Sequence, residues 1–226
     1  MSTGHHSGNP FGATVVSAET MCQAIKEKGI IPFFANTIKG YSVEELTAPQ
    51  FWFDSDEDEN ELGPWDWKID CIQTGDIVYG KFLKGKAAFA TPKWYRELMN
   101  YRRSLPRYQP NDPEKQVLDY LLKHGTITIK EVRKLLDVKK NVADALIGKL
   151  MMQCRVITGD IQRVYRGENL TYVGWQVSTF CTPEDYFEEA VLPDCTPKES
   201  RQRLLDHLVK ITGEADVKKL EKLVLA

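Results

Sequence analysis

The chain is poor in the residues that hold metals or run redox chemistry: among 226 residues there are four histidines and five cysteines. His124 and His207 stand apart from any ligand partner, and His5 and His6 sit in a Ser- and Gly-rich N-terminal stretch. No cysteine pair has the C-x-x-C spacing of a zinc ribbon or dithiol motif. Cys22, Cys71, Cys154, Cys181 and Cys195 are odd in number and widely separated, which argues against a disulfide framework. No run approaches the roughly eighteen apolar residues of a membrane span, and the N-terminus lacks the basic and apolar blocks of a signal peptide, so a cytoplasmic location is expected. The G-x-x-x-x-G-K-[ST], G-x-G-x-x-G and G-x-S-x-G patterns are missing too, which removes the familiar phosphate loops and the nucleophile elbow. Neither a cofactor nor a metal is expected.

What is present is an uneven charge. Net charge is −2, yet residues 1–74 carry 4 Lys/Arg against 12 Asp/Glu, residues 75–180 carry 19 against 10, and residues 181–226 carry 7 against 10. A basic centre between acidic flanks fits a localised phosphate-binding face, with solvated surface lysines as the plainer alternative. Residues 54–61, DSDEDENE, hold six acids in eight positions. Like-charge repulsion and the lack of a turn glycine make this a solvated loop rather than a calcium site.

Capping and periodicity divide the chain. Residues 1–16 lack periodicity and read as a flexible tail. From Ser17 the pattern is helical, with Met21, Ile25 and a closing Gly29, and Ser42 with Glu45 makes a capping box. Trp65 and Trp67 share a face if their segment is extended. Ile77–Phe82 and Lys86–Ala90 read as strands around a Lys84-Gly85 turn. Thr91-Pro92, Asp112-Pro113, Thr182-Pro183 and Thr196-Pro197 each place a capping side chain before a proline suited to the first helical turn.

Between these boundaries lies a helix-turn-helix order. Val117, Leu118, Leu121 and Leu122 line one helix that ends at Gly125, and Thr128 with Glu131 opens a second whose stripe is Val132, Leu135 and Leu136. A third turns Val142, Leu146 and Leu150 inward. Cys154–Ile157 and Tyr172–Phe180 are β-rich and flank a polar connection carrying Arg163 and Arg166. Three helices and a basic hairpin outline a winged helix. The predicted fold is therefore α+β: an N-terminal helix-and-hairpin unit over 17–105, a winged-helix module over 106–182 and a C-terminal helical extension over 183–226. The extension, with Leu204, Leu205, Leu208 and Val209 on one side, is expected to dock on the body, on a protein partner or on a second copy. Lys139, Lys140, Asn141, Lys149, Arg155, Arg163 and Arg166, with Lys81, Lys84 and Lys86 of the first hairpin, are the candidates for DNA contact, and Asp144 opposes phosphate on the same face.

The runs IPFFANTIKGYSVEELTAPQFWF, GPWDWK, VYGKFLKGKAAFATPKWY, LIGKLMMQCRVITGDIQRV and YVGWQVSTFCTPEDYF resemble proteins related to AlkZ, the winged-helix alkylpurine DNA glycosylase, over roughly residues 20–190. The resemblance implies winged helices around a concave, positively charged DNA channel and a role in DNA repair. Glycosylases of the AlkZ and YcaQ type are monofunctional and position water with a Gln-x-Gln or Gln-x-Asp motif. None of the nine glutamines here is followed two positions later by Gln or Asp. The expectation is a DNA-binding protein in which no catalytic residue is assigned, the alternatives being a glycosylase or a protein-interaction module. If hydrolysis survives, Asp66 or Asp70 beside the tryptophans is the carboxylate to supply electrostatic support; otherwise both decorate a surface strand.

Overall fold

The computed structural model describes residues 14–53, 63–187 and 192–225. The acidic run at 54–61 and the histidines at positions 5 and 6 lie outside these residues. Thr14 and Val15, at the end of the stretch read as a tail, bond through their amides to the Leu46 carbonyl, and Val15 is buried.

Helix α1 (Ala18–Lys28) begins at Ser17, whose hydroxyl accepts the Thr20 amide while the Thr20 hydroxyl accepts the Ser17 amide, and it stops at Gly29, where φ is 72°. Strand β1 (Ile30–Pro32) follows, then α2 (Val43–Leu46), opened by the Ser42–Glu45 pair, and α3 (Gln50–Phe53). The segment read as extended around the two tryptophans is instead helix α4 (Pro64–Gln73). Proline at the first helical position and Asp66 in the first turn are start signals that outweigh the strand preference of tryptophan. The helical period then sends the two indoles apart, with Trp67 buried and Trp65 43% exposed.

Strands β2 (Val78–Leu83) and β3 (Lys86–Ala90) form the expected antiparallel hairpin and lead into α5 (Pro92–Arg103). Next come α6 (Asp112–His124), β4 (Thr126–Thr128), α7 (Ile129–Leu136), α8 (Lys140–Met152), β5 (Ile157–Arg166) and β6 (Thr171–Cys181). The short α9 (Pro183–Tyr186) precedes α10 (Pro197–Thr212) and α11 (Val217–Val224). Among the described residues six strands join one sheet in the order β1-β3-β2-β5-β6-β4, the two hairpins meeting where Tyr79 of β2 pairs with Thr158 of β5. The α+β class is as expected.

Among the described residues, two large apolar cores pack with this sheet, and a third, small cluster joins Ile69 and Ile72 of α4 to Ile161 of β5. One large core gathers α1, the first hairpin, α5 and the last two helices; the other is built from Val117, Leu121, Val132, Ile147, Leu150 and their neighbours. In the second core the helices are rotated relative to the stripes read from sequence: Leu122 is 78% exposed and Val142 46%, while Ala143 and Ile147 point inward. The reason is that α8 packs on two sides, against its own bundle and against β2, where the Met151 sulfur accepts the Lys81 amide. The polar stretch read as a connection is mostly strand. Register shifts between Thr158 and Asp160 and between Arg163 and Tyr165 break the alternation that would have marked it.

The cysteine spacing predicts no pairing, but Cys22 on α1 and Cys71 on α4 form a disulfide with their Cα atoms 5.4 Å apart. Which helix faces meet is a tertiary fact that sequence spacing does not carry. Helix α10 lays Leu204, Leu205 and Leu208 into the first core beside α5, so the body takes the face that the sequence leaves open to a second copy.

The α6 cap supplies a pH-dependent strut. Asn111, not Asp112, is the cap, and the Glu114 carboxylate accepts the Asn111 amide, the Gln153 side chain at 2.8 Å and the Lys149 ammonium at 2.9 Å. Burial pushes this carboxyl up, but the bonds from Gln153, Lys149 and Asn111 outweigh it and hold the group below its ordinary value near 4.5. A carboxylate depressed on folding contributes stability above its unfolded value, and that contribution is lost as pH falls through the folded value. Glu114→Ala is expected to cost roughly 2 kcal/mol in urea unfolding at pH 7. The gap to wild type should close as pH drops below about 4.5; a gap independent of pH overturns the assignment.

Candidate nucleic-acid interface

A cleft of about 860 Å³ opens between the start of α8, strand β2 and the outer face of β6. Two of its lining residues, Lys68 of α4 and Gln176 of β6, belong to a polar cluster carried by α4 and the second hairpin. Asp66, in the first turn of α4, is 6% exposed and accepts Arg163 Nε at 3.0 Å, Arg163 Nη2 at 2.9 Å and the Tyr172 hydroxyl at 2.9 Å. The same guanidinium also donates to Asp70 at 3.0 Å. The bonds to Asp66 raise the Arg163 pKa further, so the guanidinium stays charged, and burial together with the Asp66 carboxylate pushes the Tyr172 phenol up.

Beside this pair lies Lys68. Its ammonium donates to the Trp65 carbonyl and to Gln176 Oε1, both at 2.5 Å, and sits 4.3 Å from the centre of the Trp65 ring. Burial pulls the Lys68 pKa down to about 8, with Asp66 opposing the shift and Arg163 adding to it. The Gln176 amide nitrogen in turn donates to the Tyr172 hydroxyl at 2.9 Å, so one hydrogen-bonded chain runs from Lys68 to Asp66.

The walls are cationic and aromatic. Lys81 from β2, Lys130 from the first turn of α7 and Lys140 from the start of α8 line the opening, all exposed and, among the described residues, in no ion pair. Trp65 and Trp175 line it as well, Trp175 58% exposed, and Asp144 is the acid within the lining.

Of the residues named from sequence, Lys81 and Lys140 therefore come together in the cleft. Lys139 and Asn141 flank Lys140 at the exposed start of α8. Arg163 is outside the cleft lining, held by two carboxylates. Lys149 is paired with Glu114, Arg166 covers the Trp175 ring at 5.0 Å, and Arg155 is half-buried with its pKa lowered by burial and by Arg103. Lys84 in the β2–β3 turn and Lys86 at the start of β3 border a separate small recess with Phe34 and Leu223.

Sequence reasoning passed over Lys68, Lys130, Tyr172, Trp175 and Gln176. Trp175 and Val177 carried a usable signal, because two large apolar residues two apart on a strand share a face, and both are exposed here. Asp66 and Asp70 sit on a helix, not on a surface strand, and Asp66 is buried. Among the described residues no group of three or more His, Cys, Asp or Glu is arranged to hold a metal, and no helix is long and apolar enough to cross a membrane.

An α+β protein with a lysine- and tryptophan-walled cleft that shares Lys68 and Gln176 with a neighbouring ionic cluster is thus defined by its geometry. The chain belongs to the AlkZ-related family, whose model matches residues 15–225. No curated protein and no solved structure matches it.

Proposed function

We propose that the protein binds DNA through this cleft and that residues 106–182 act as a winged helix, with α8 as the helix presented to the groove and the β5–β6 hairpin as the wing. The observation that carries the reading is the set of exposed Lys81, Lys130 and Lys140, in no ion pair among the described residues, ringing an opening that also holds two indoles. Ammonium groups at the rim suit phosphate, and indole faces suit unstacked bases. The separate core of α6, α7 and α8 supports treating them as a module, and membership in a family related to AlkZ supports nucleic acid over a protein partner.

Contact would use only part of α8. Its C-terminal half is covered by the first hairpin, where the Met152 sulfur accepts the Gly85 amide at 3.0 Å, so Lys139, Lys140 and Asn141 are the portion free to approach a groove. Binding is favoured over base excision because the Asp66 carboxylate lies outside the cleft lining and is already engaged by Arg163 and Tyr172.

Fluorescence anisotropy with labelled duplex and single-stranded oligonucleotides across a salt series tests this. Wild type should bind with an affinity that falls steeply with salt. Combining Lys81→Glu, Lys130→Glu and Lys140→Glu should lower the slope of log affinity against log salt by roughly one unit per lysine. No binding at low salt, or an unchanged slope in the triple variant, overturns the reading.

A further inference from the structure

We propose that Lys68 is an amine nucleophile toward the open-chain aldehyde of an abasic deoxyribose in DNA held by the cleft. The proposal rests on the DNA-binding reading and adds a covalent chemistry to it.

The argument begins with what surrounds the amine. Lys68 is 3% exposed and yet borders the cleft, and the atoms that hold its nitrogen are the neutral oxygens of Trp65 and Gln176. Among the described residues it makes no ion pair. The neighbouring carboxylate, Asp66, is occupied by Arg163 and Tyr172. A buried ammonium without a counter-ion is poorly stabilised relative to its neutral form, which is how lysines become nucleophiles for carbonyl carbons. Burial brings its pKa to about 8, so a usable minority of the amine is unprotonated near neutral pH.

Its placement is constrained as well. Gln176 is tied to Tyr172, Tyr172 to Asp66, and Asp66 to Arg163, so the acceptor that orients the amine belongs to a fixed network, not a loose side chain. A nucleotide that has lost its base leaves a gap in the stack, and the Trp65 ring, 4.3 Å from the amine, and the exposed Trp175 ring, with Arg166 over one side, line the cleft in which the flanking bases would stack. Lys81, Lys130 and Lys140 would hold the phosphates on either side.

The step balances without any further reactant. The lone pair of the neutral Lys68 amine forms a bond to the aldehyde carbon C1′, the carbonyl π pair moves to oxygen, and one proton passes from nitrogen to that oxygen through water. A second proton from solvent lets the oxygen depart as water while nitrogen forms the C=N bond, leaving a protonated imine. Nothing is oxidised or reduced, and water returned to the imine reverses the step.

Borohydride trapping tests the proposal: the full chain is incubated with an oligonucleotide carrying one abasic site, with the intact oligonucleotide as control, and reduced. A covalent protein–DNA band is expected with the abasic oligonucleotide alone, and peptide mapping of the wild-type adduct should place it on Lys68. The band should fall to background in Lys68→Arg, whose guanidinium is not a nucleophile, with folding checked by circular dichroism. An adduct mapped to another lysine, or no band although anisotropy shows the abasic oligonucleotide bound, overturns the role of Lys68 and leaves the binding reading standing. Absence of both band and binding overturns both.

Discussion

Arg102→Met is expected to lower the unfolding free energy by roughly 3–5 kcal/mol, although it replaces a charge buried in the core with an apolar side chain of similar length. Arg102 is fully buried, and its two terminal nitrogens donate to three backbone carbonyls: Phe82 of β2 at 2.6 Å, Met152 at the end of α8 at 3.1 Å and Val224 at the end of α11 at 2.7 Å. The last two are among the helix-terminal carbonyls that no intrahelical amide can reach, and the positive charge also opposes the negative ends of both helices. Removing the guanidinium recovers its desolvation cost but strands three acceptors where water does not enter.

Charge-assisted bonds of this kind contribute roughly 1.5–3 kcal/mol each, so three of them outweigh the relief. Arg102→Lys should recover only part of the loss, because one ammonium cannot span acceptors on three elements as a planar fork does. Urea unfolding measures the total. Hydrogen exchange should locate the earliest loosening in α11, which the bond to Val224 fastens to the body. A methionine variant within about 0.5 kcal/mol of wild type would show that the three carbonyls find other donors.

Local chemistry was legible in the sequence and relations between elements were not. Ser17, Ser42, Thr128 and Thr196 cap helices as their spacing indicates, since a cap is decided within four residues. The β2–β3 hairpin is legible for the same reason. The orientation of α8 is not, because Ile147 and Met151 face both a helical bundle and a strand contributed by a distant part of the chain. The site divides along the same line. Lys81 and Lys140 could be named from basic patterning, but Lys68 belongs to the acidic first third, and its importance comes from Gln176, more than a hundred residues away. Arg163 illustrates the converse: a basic residue on a predicted wing looks free for phosphate until folding sets Asp66 and Asp70 against it.

The disulfide carries the second large effect. Cys22 and Cys71 are 49 residues apart, and closing a loop of that length in the unfolded chain is worth up to about 4 kcal/mol on the chain-entropy account. Reduction, or the double variant Cys22→Ala with Cys71→Ala, is therefore expected to cost roughly 2–4 kcal/mol in urea unfolding. Thiol titration of the unfolded, unreduced chain should count three free cysteines, Cys154, Cys181 and Cys195, and reduction should raise the count to five. Five before reduction overturns the bond. The cost does not fall evenly on the fold. Cys71 is on α4, the helix that also carries Trp65, Asp66 and Lys68, and the bond fastens that helix to α1. On the proposed DNA-binding function, reduced protein should therefore bind DNA more weakly than oxidised protein at a temperature where both remain folded. Lys81, Lys130 and Lys140 lie on other elements, so the salt slope they set should persist while the contribution of Trp65 and Lys68 declines.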